Sequence, residues 1–231
     1  ENFRGPGTLS ITAAAADGTC VTRNFYFGVI SAPAPVSYRM GAHVDSPNKT
    51  NTKIQLDMLK DFRIGSIRTW GFQGKGFKGL KETYQGRGFD LMVVMENLSL
   101  REPDKNLLYR DYTEFLNDLA PYLKELHGIV GTYELFNEPN IRNPQTGWDS
   151  SRYRACNIES VRDALRIVGR GIHEMDSSVR IAGPTPVPTS PAYIASVLSN
   201  GGSAECDIVT EHAYRELPEL PDYGEDIANV R

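Results

Sequence analysis

An α/β fold built from parallel βα units is predicted by three features of this sequence. From about residue 36 onward, strand-like apolar runs and helix-like amphipathic stretches strictly alternate. The strand-like runs are nearly all apolar in their middles, as in strands covered on both faces. Each run also turns polar at its C-terminal end, where parallel sheets place their functional side chains.

The elements follow in chain order. "GTLSITAAAADGTCVTRNFYFGVIS" at 7–31 reads as two strands around Asp17-Gly18, a hairpin signal. Two strands do not make a stable sheet alone, so residues 1–30 are expected to be the remnant of a β-sandwich. "SAPAP" at 31–35 has the stiffness of a linker. Strands are expected at 38–44, 66–70, 90–97, 132–139, 179–187 and 206–215. Between them come helices at 51–62, around 80–84, and at 109–128, 158–175 and 191–200, with another beginning near 223. The first helix carries Ile54, Met58 and Phe62 on one face. The third carries Phe115, Leu119, Tyr122 and Leu126 in phase, and the fourth Val161, Leu165, Val168 and Ile172.

A doubly wound sheet would alternate in the same way, but it usually has a Gly-rich phosphate turn after its first strand. Here "MGAHVDSPN" follows, and no GxGxxG or P-loop turn occurs anywhere. The pattern therefore favours a (β/α)8 TIM barrel with about six βα units present. The stretch 36–231 is shorter than the ~250 residues typical of the full barrel, so the barrel is expected to be incomplete at its C-terminal side.

Composition removes several function classes. The chain has a net charge of -4 and no basic run, which argues against nucleic acid as a partner. Its apolar runs are as short as "LMVVM" at 91–95, so no membrane span is expected. Three cysteines, Cys20, Cys156 and Cys206, give neither a disulfide framework nor metal-ligand spacing. Cys156 and Cys206 fall at opposite ends of the predicted barrel, so both are expected to be free and buried. Only four His residues are present, in no ligand spacing, which disfavours a metal-dependent hydrolase. No signal-peptide pattern opens the sequence. Asn48 and Asn97 sit in Asn-x-Ser/Thr triplets, which arise often by chance.

The predicted C-terminal strand ends bring chemistry-bearing residues to one rim. These are His43 and Asp45, Arg68 and Trp70, Glu96 and Asn97, Asn137 and Glu138, then Glu211, His212 and Tyr214. Acids, amides and aromatics gathered in this way suit glycosidic bond cleavage. That reaction needs one carboxylic acid to protonate the leaving oxygen and a carboxylate on the other face of the sugar. Each residue also has a plainer reading: a turn carboxylate for Glu138, a loop-capping amide for Asn137, and a buried ion pair with Glu134 or Glu96 for Arg68. Glu134 shares the side-chain parity of Glu138 but lies deeper, where a structural ion pair in the barrel interior is expected.

"YELFNEPN" at 133–140 resembles the fourth-strand motif of the clan A glycoside hydrolases, in which Asn-Glu-Pro closes strand four, and is most similar to family 39. The resemblance covers the barrel part, not the first 35 residues. It implies a retaining double-displacement hydrolase of O-glycosides in poly- or oligosaccharides, on a (β/α)8 barrel, with no cofactor or metal. Glu138 resembles the general acid/base and Asn137 the residue that bonds the sugar 2-hydroxyl. Arg68 and Tyr214 resemble the pair that tunes the nucleophile, and His212 a rim residue near the acid/base. The clan's nucleophile is a Glu ending strand seven, and no residue here matches it. Trp70 and Trp148 are candidate sugar platforms, and His43, Asp45, Glu96 and Asn97 candidate substrate contacts. The expected partners are a carbohydrate and the remaining C-terminal part of the barrel, and the expected location is secreted or periplasmic. A degenerate barrel that binds carbohydrate without catalysis is the alternative.

Overall fold

In a computed structural model of the protein, residues 5–29, 37–44, 52–71, 79–95, 111–140, 158–187 and 190–212 are described. The chain divides into two units, Glu1–Val36 and Ser37–Arg231. The first holds an antiparallel pair, β1 (Gly5–Ala14) and β2 (Cys20–Val29), in unbroken register from Gly5↔Val29 to Ala14↔Cys20. Its turn is wider than the two-residue loop suggested by Asp17-Gly18. Ala15 N–H bonds Thr19 C=O, the Asp17 carboxylate accepts from Thr19 N–H, and Gly18 takes φ +84°.

The second unit holds six parallel strands in sequential order: β3 (Ser37–Val44), β4 (Ile64–Trp70), β5 (Asp90–Val94), β6 (Val130–Glu134), β7 (Arg180–Pro184) and β8 (Ile208–Thr210). Between them run α1 (Thr52–Asp61), α2 (Leu80–Tyr84), α3 (Tyr112–Leu126), α4 (Ile158–Met175) and α5 (Pro191–Leu198). Strict sequential neighbours joined by helical crossovers make a partial (β/α)8 barrel.

The helices are set by local chemistry. Asp111 caps α3, its carboxylate accepting from Glu114 N–H at 2.8 Å. Ser190 caps α5, and Pro191 occupies its first turn. On α4, Val161, Leu165, Val168 and Ile172 are all fully buried, as their spacing requires. On α3 the buried row is Phe115, Leu119, Leu123 and Leu126, with Tyr122 only half-buried, so Leu123 takes the slot expected for Tyr122. These rows pack on the outward strand positions Ile67, Leu91, Val93, Tyr133 and Ile181 in one core. Burial raises the Tyr133 phenol well above its usual range, and the Asp176 charge adds to this.

The first helix departs from expectation. Ile54 and Met58 share a side of α1, with Phe62 just past its end, but the three are 61%, 52% and 69% exposed, and α1 buries Thr52 and Leu56 instead.

Inward strand positions are more polar than the apolar runs suggested. Ser66, Arg68, Asp90, Met92, Thr132 and Arg180 contribute to the lining of an open cavity of ≈ 430 Å³. At its floor Arg180 Nη2 donates to both Asp90 oxygens, at 3.0 and 2.9 Å. This pair reaches from β7 to β5 past Gly131, the extra residue where the β5–β6 register slips. A Cβ on Gly131 would come 2.6 Å from Asp90 Oδ1, so a side chain there would shift the Asp90 carboxylate from its place.

Candidate active site

The site lies beyond the C-terminal ends of β6, β7 and β8. Strand β6 stops at Glu134, and the chain runs on through Leu135 and Phe136, both buried, to Asn137 and Glu138. Leu135 N–H bonds Ala182 C=O, which extends pairing to β7 past the strand's formal end. Glu138 then adopts φ +54°, the left-handed region that side-chain-bearing residues seldom occupy. Its N–H donates to Thr185 C=O at 3.0 Å, and its Oε1 lies 2.7 Å from His212 Nδ1. With Nδ1 protonated, His212 donates this bond. His212 is itself fixed by its N–H on Pro186 C=O at 2.9 Å.

Asn137 is held from the other side. Its Oδ1 accepts from Arg68 Nη2 at 2.9 Å. Arg68 Nε also donates to Glu134 Oε2 at 2.6 Å, and Nη1 lies 3.3 Å from His43 Nδ1. The Arg68 guanidinium stands 5.3 Å from the Trp70 ring centroid, and the His43 ring meets Trp70 edge-on at 5.6 Å. Trp70 is half-buried beneath these two groups, whereas His43 is exposed.

The residue that ties both halves together is Thr185, fully buried at the end of β7. Its hydroxyl lies 2.7 Å from Glu134 Oε1 and 2.6 Å from Thr210 Oγ1. A carboxylate only accepts, so the single Thr185 proton goes to Glu134, and Thr210 donates to Thr185. Thr185 also takes φ +53°, immediately after the cis Gly183–Pro184 bond. A β-branched residue in that region is strained by about 1–3 kcal/mol, which the surroundings must offset. One further lock joins the loops after β6 and β7: the Asn140 side chain donates to Val187 C=O and accepts from Val187 N–H, at 2.8 and 2.9 Å.

Several sequence expectations can now be placed. Asn137, Glu138, Arg68, His212, His43 and Trp70 lie in one network of hydrogen bonds and ring contacts, joined through Thr185 and Glu134. Glu134 is the interior ion-pair member expected of it, paired with Arg68. One Glu211 oxygen is buried without a partner. Tyr214, Trp148, Asp45, Glu96, Asn97 and Cys156 lie outside the described residues. Cys206 is free, as expected, but the residue is only half-buried. No group of three or more His, Cys, Asp or Glu suited to a metal occurs among the described residues. Sequence reasoning missed Thr185, Thr210 and Asn140. The signal for the first was "GPTPV" at 183–187, where two prolines fix a rigid turn at a strand end.

No family model matches the sequence, and no curated protein matches it. Solved structures do match. A family 39 glycoside hydrolase from the gut symbiont Bacteroides cellulosilyticus WH2 superposes with a TM-score of 0.64 at 20% identity, covering 95% of this chain and 47% of that one. A monomeric beta-xylosidase from Caulobacter crescentus CB15 gives 0.59 at 16% identity, over 87% and 50% of the two chains. A psychrophilic family 10 endo-beta-1,4-xylanase gives 0.53 at 14% identity, over 82% and 68%. The chain thus spans about half the length of the family 39 enzyme and the xylosidase that it resembles. Its fold is that of part of the barrels of these glycoside hydrolases.

Proposed function

We propose that this chain forms part of a retaining glycoside hydrolase, with Glu138 as its general acid/base. The observation that carries the reading is the placement of Glu138 beyond the end of the fourth barrel strand, with its carboxyl on His212 and with Asn137 steered by Arg68. Glu138 gives its proton to the departing glycosidic oxygen, then takes one from the attacking water in the second step. His212 orients the Glu138 carboxyl. Asn137, its oxygen occupied by Arg68, presents its amide N–H to a sugar hydroxyl. Trp70 and His43 provide ring surface at the rim, and Tyr214 takes the nucleophile-tuning role that the resemblance gives it. The carbohydrate is held without metal or cofactor.

Retention needs a second carboxyl group ~5–5.5 Å from the first, across the scissile bond. Glu134 does not serve, because both its oxygens are engaged by Arg68 and Thr185. We therefore expect the nucleophile to come from the part of the barrel beyond this chain, and the 231-residue chain alone not to turn over glycosides. A secreted or periplasmic setting accords with a glycan substrate.

The test is azide rescue in the complete gene product. One of the matching structures is a beta-xylosidase, so a dinitrophenyl β-xyloside is the first probe. In Glu138→Ala, turnover of this activated substrate should become limited by the second step, and azide should restore it with formation of a glycosyl azide of retained configuration. A variant whose turnover is unaffected, or which is inactive and indifferent to azide across aryl glycosides, overturns the assignment.

A further inference from the structure

We infer that Thr185 is the positioning residue of this site, coupling the Arg68–Glu134 ion pair to the backbone of Glu138. The inference rests on the glycosidase reading of Glu138 and extends it to a residue that does not touch substrate. Among the described residues with side chains, four have positive φ, and two of these, Glu138 and Thr185, bond directly to each other. Thr185 C=O accepts the Glu138 N–H at 3.0 Å, while Thr185 N–H donates to Thr210 C=O at 3.0 Å. One peptide on either side of the Thr185 α-carbon thus binds β8, and the other binds the carboxyl-bearing residue.

The hydroxyl then fixes which way this strained residue faces. The proton order runs from Thr210 to Thr185 to Glu134, and Glu134 in turn holds Arg68, which holds Asn137. Asn137 and Glu138 are consecutive, so one chain of contacts grips the Asn-Glu dipeptide at both members. The Asn137 side chain is reached through Arg68, and the Glu138 amide through Thr185 C=O. His212, the partner of the Glu138 carboxyl, is tied by its N–H to Pro186, the residue after Thr185. Burial of Thr185 and Glu134 keeps water from replacing any link between them. A threonine needed only for packing would fill the same space without its hydroxyl, so the role is carried by the proton it donates and by its backbone geometry.

The experiment compares Thr185→Val, which keeps the shape and removes the hydroxyl, with Thr185→Ser, which keeps the hydroxyl. Folding is checked by far-UV circular dichroism. The readout is the side-chain nitrogen spectrum of the 231-residue chain: Arg68 Nε–H, the Asn137 amide and the His212 ring nitrogens, assigned with Arg68→Lys, Asn137→Asp and His212→Gln. In Thr185→Val all three sets of signals should shift, and Thr185→Ser should return them to their wild-type positions. Should Thr185→Val not fold, Thr210→Val removes the preceding proton donor and should shift the same signals in the same direction, by less. Unmoved signals in a folded Thr185→Val, a Thr185→Ser that fails to restore them, or an unmoved Thr210→Val spectrum where that variant is needed overturns the inference. None of these readouts depends on turnover, so the glycosidase reading, tested by azide rescue at Glu138, stands or falls separately.

Discussion

Removing the Glu134 carboxylate should be among the most damaging single changes at this site. Glu134 is 1% exposed and Arg68 21% exposed, with 2.6 Å between Oε2 and Nε. In Glu134→Leu the guanidinium keeps, among the described residues, the contacts to Asn137, His43 and the Trp70 ring, none of them a carboxylate. Stripping one partner from a buried pair costs about 3–5 kcal/mol. Water reaching a fifth of Arg68 places the loss at the low end, and the Thr185 hydroxyl loses its acceptor for about 1 kcal/mol more. The expected total is therefore about 3–4 kcal/mol. With a urea m-value of about 3 kcal/mol/M, the unfolding midpoint should fall by about 1 M while m stays constant. Glu134→Gln keeps an acceptor and should cost less, about 1–2 kcal/mol. The double variant Glu134→Leu/Arg68→Met removes both charges and should be more stable than Glu134→Leu alone, with a coupling of about 2 kcal/mol. Urea titration followed by circular dichroism measures wild type, Glu134→Leu, Glu134→Gln, the double variant and Arg68→Met, the second single change that the coupling requires. A Glu134→Leu chain within about 1 kcal/mol of wild type, or strictly additive changes, would refute the claim that the carboxylate neutralises Arg68.

Two further predictions concern titration. Burial pushes the Cys206 thiol up to about 11, against bonds to Ile208 C=O and Gly183 C=O and with the Asp207 charge adding to it. At pH 8 its thiolate should be roughly 100-fold scarcer than that of an ordinary thiol, so iodoacetamide should label exposed Cys20 well before Cys206 by peptide mapping; equal rates would contradict this. Because the folded value is raised, the thiol's contribution to stability is complete below about pH 9 and is lost as pH climbs towards the folded value. The Asp176 carboxyl behaves in the opposite sense: burial raises it, but the Ser178 hydroxyl, His127 and the Ser178 amide outweigh that and hold it below its usual value. Its stabilisation is present above about pH 4 and fades as pH falls through the folded value, so the melting temperature of Asp176→Asn should depend less steeply on acid than wild type.

Periodicity located the helices because burial on α4 obeys it residue by residue, Val161 to Ile172. It misjudged α1, where the apolar side Ile54–Met58–Phe62 faces outward. Spacing reports which residues share a side but not whether anything covers that side. Strand β6 was recognisable as a strand, yet Thr132 and Glu134 face a polar interior, and an apolar run does not announce the ion pair threaded through it. At the site, Asn137, Glu138, Arg68 and His212 were legible because each ends a predicted strand with a group of obvious chemistry. For Thr185 only the rigid "GPTPV" turn was legible, since its part depends on a left-handed φ and on a carbonyl that no side-chain pattern encodes.

Gly131 has a consequence for how this sequence can vary. The space a methyl would occupy there belongs to Asp90 Oδ1, and Arg180 Nη2 holds that oxygen in place. Positions 90, 131 and 180 therefore accept change as a block. Alanine at 131 becomes tolerable once residue 90 is shortened, and a shortened residue 90 releases Arg180 to mutate in its turn. In a randomised library the three positions should covary, although residue 131 contributes no charge and no hydrogen bond to the pair. The correlation would record the absence of one methyl group, and a contact map inferred from it would correctly place β5, β6 and β7 side by side.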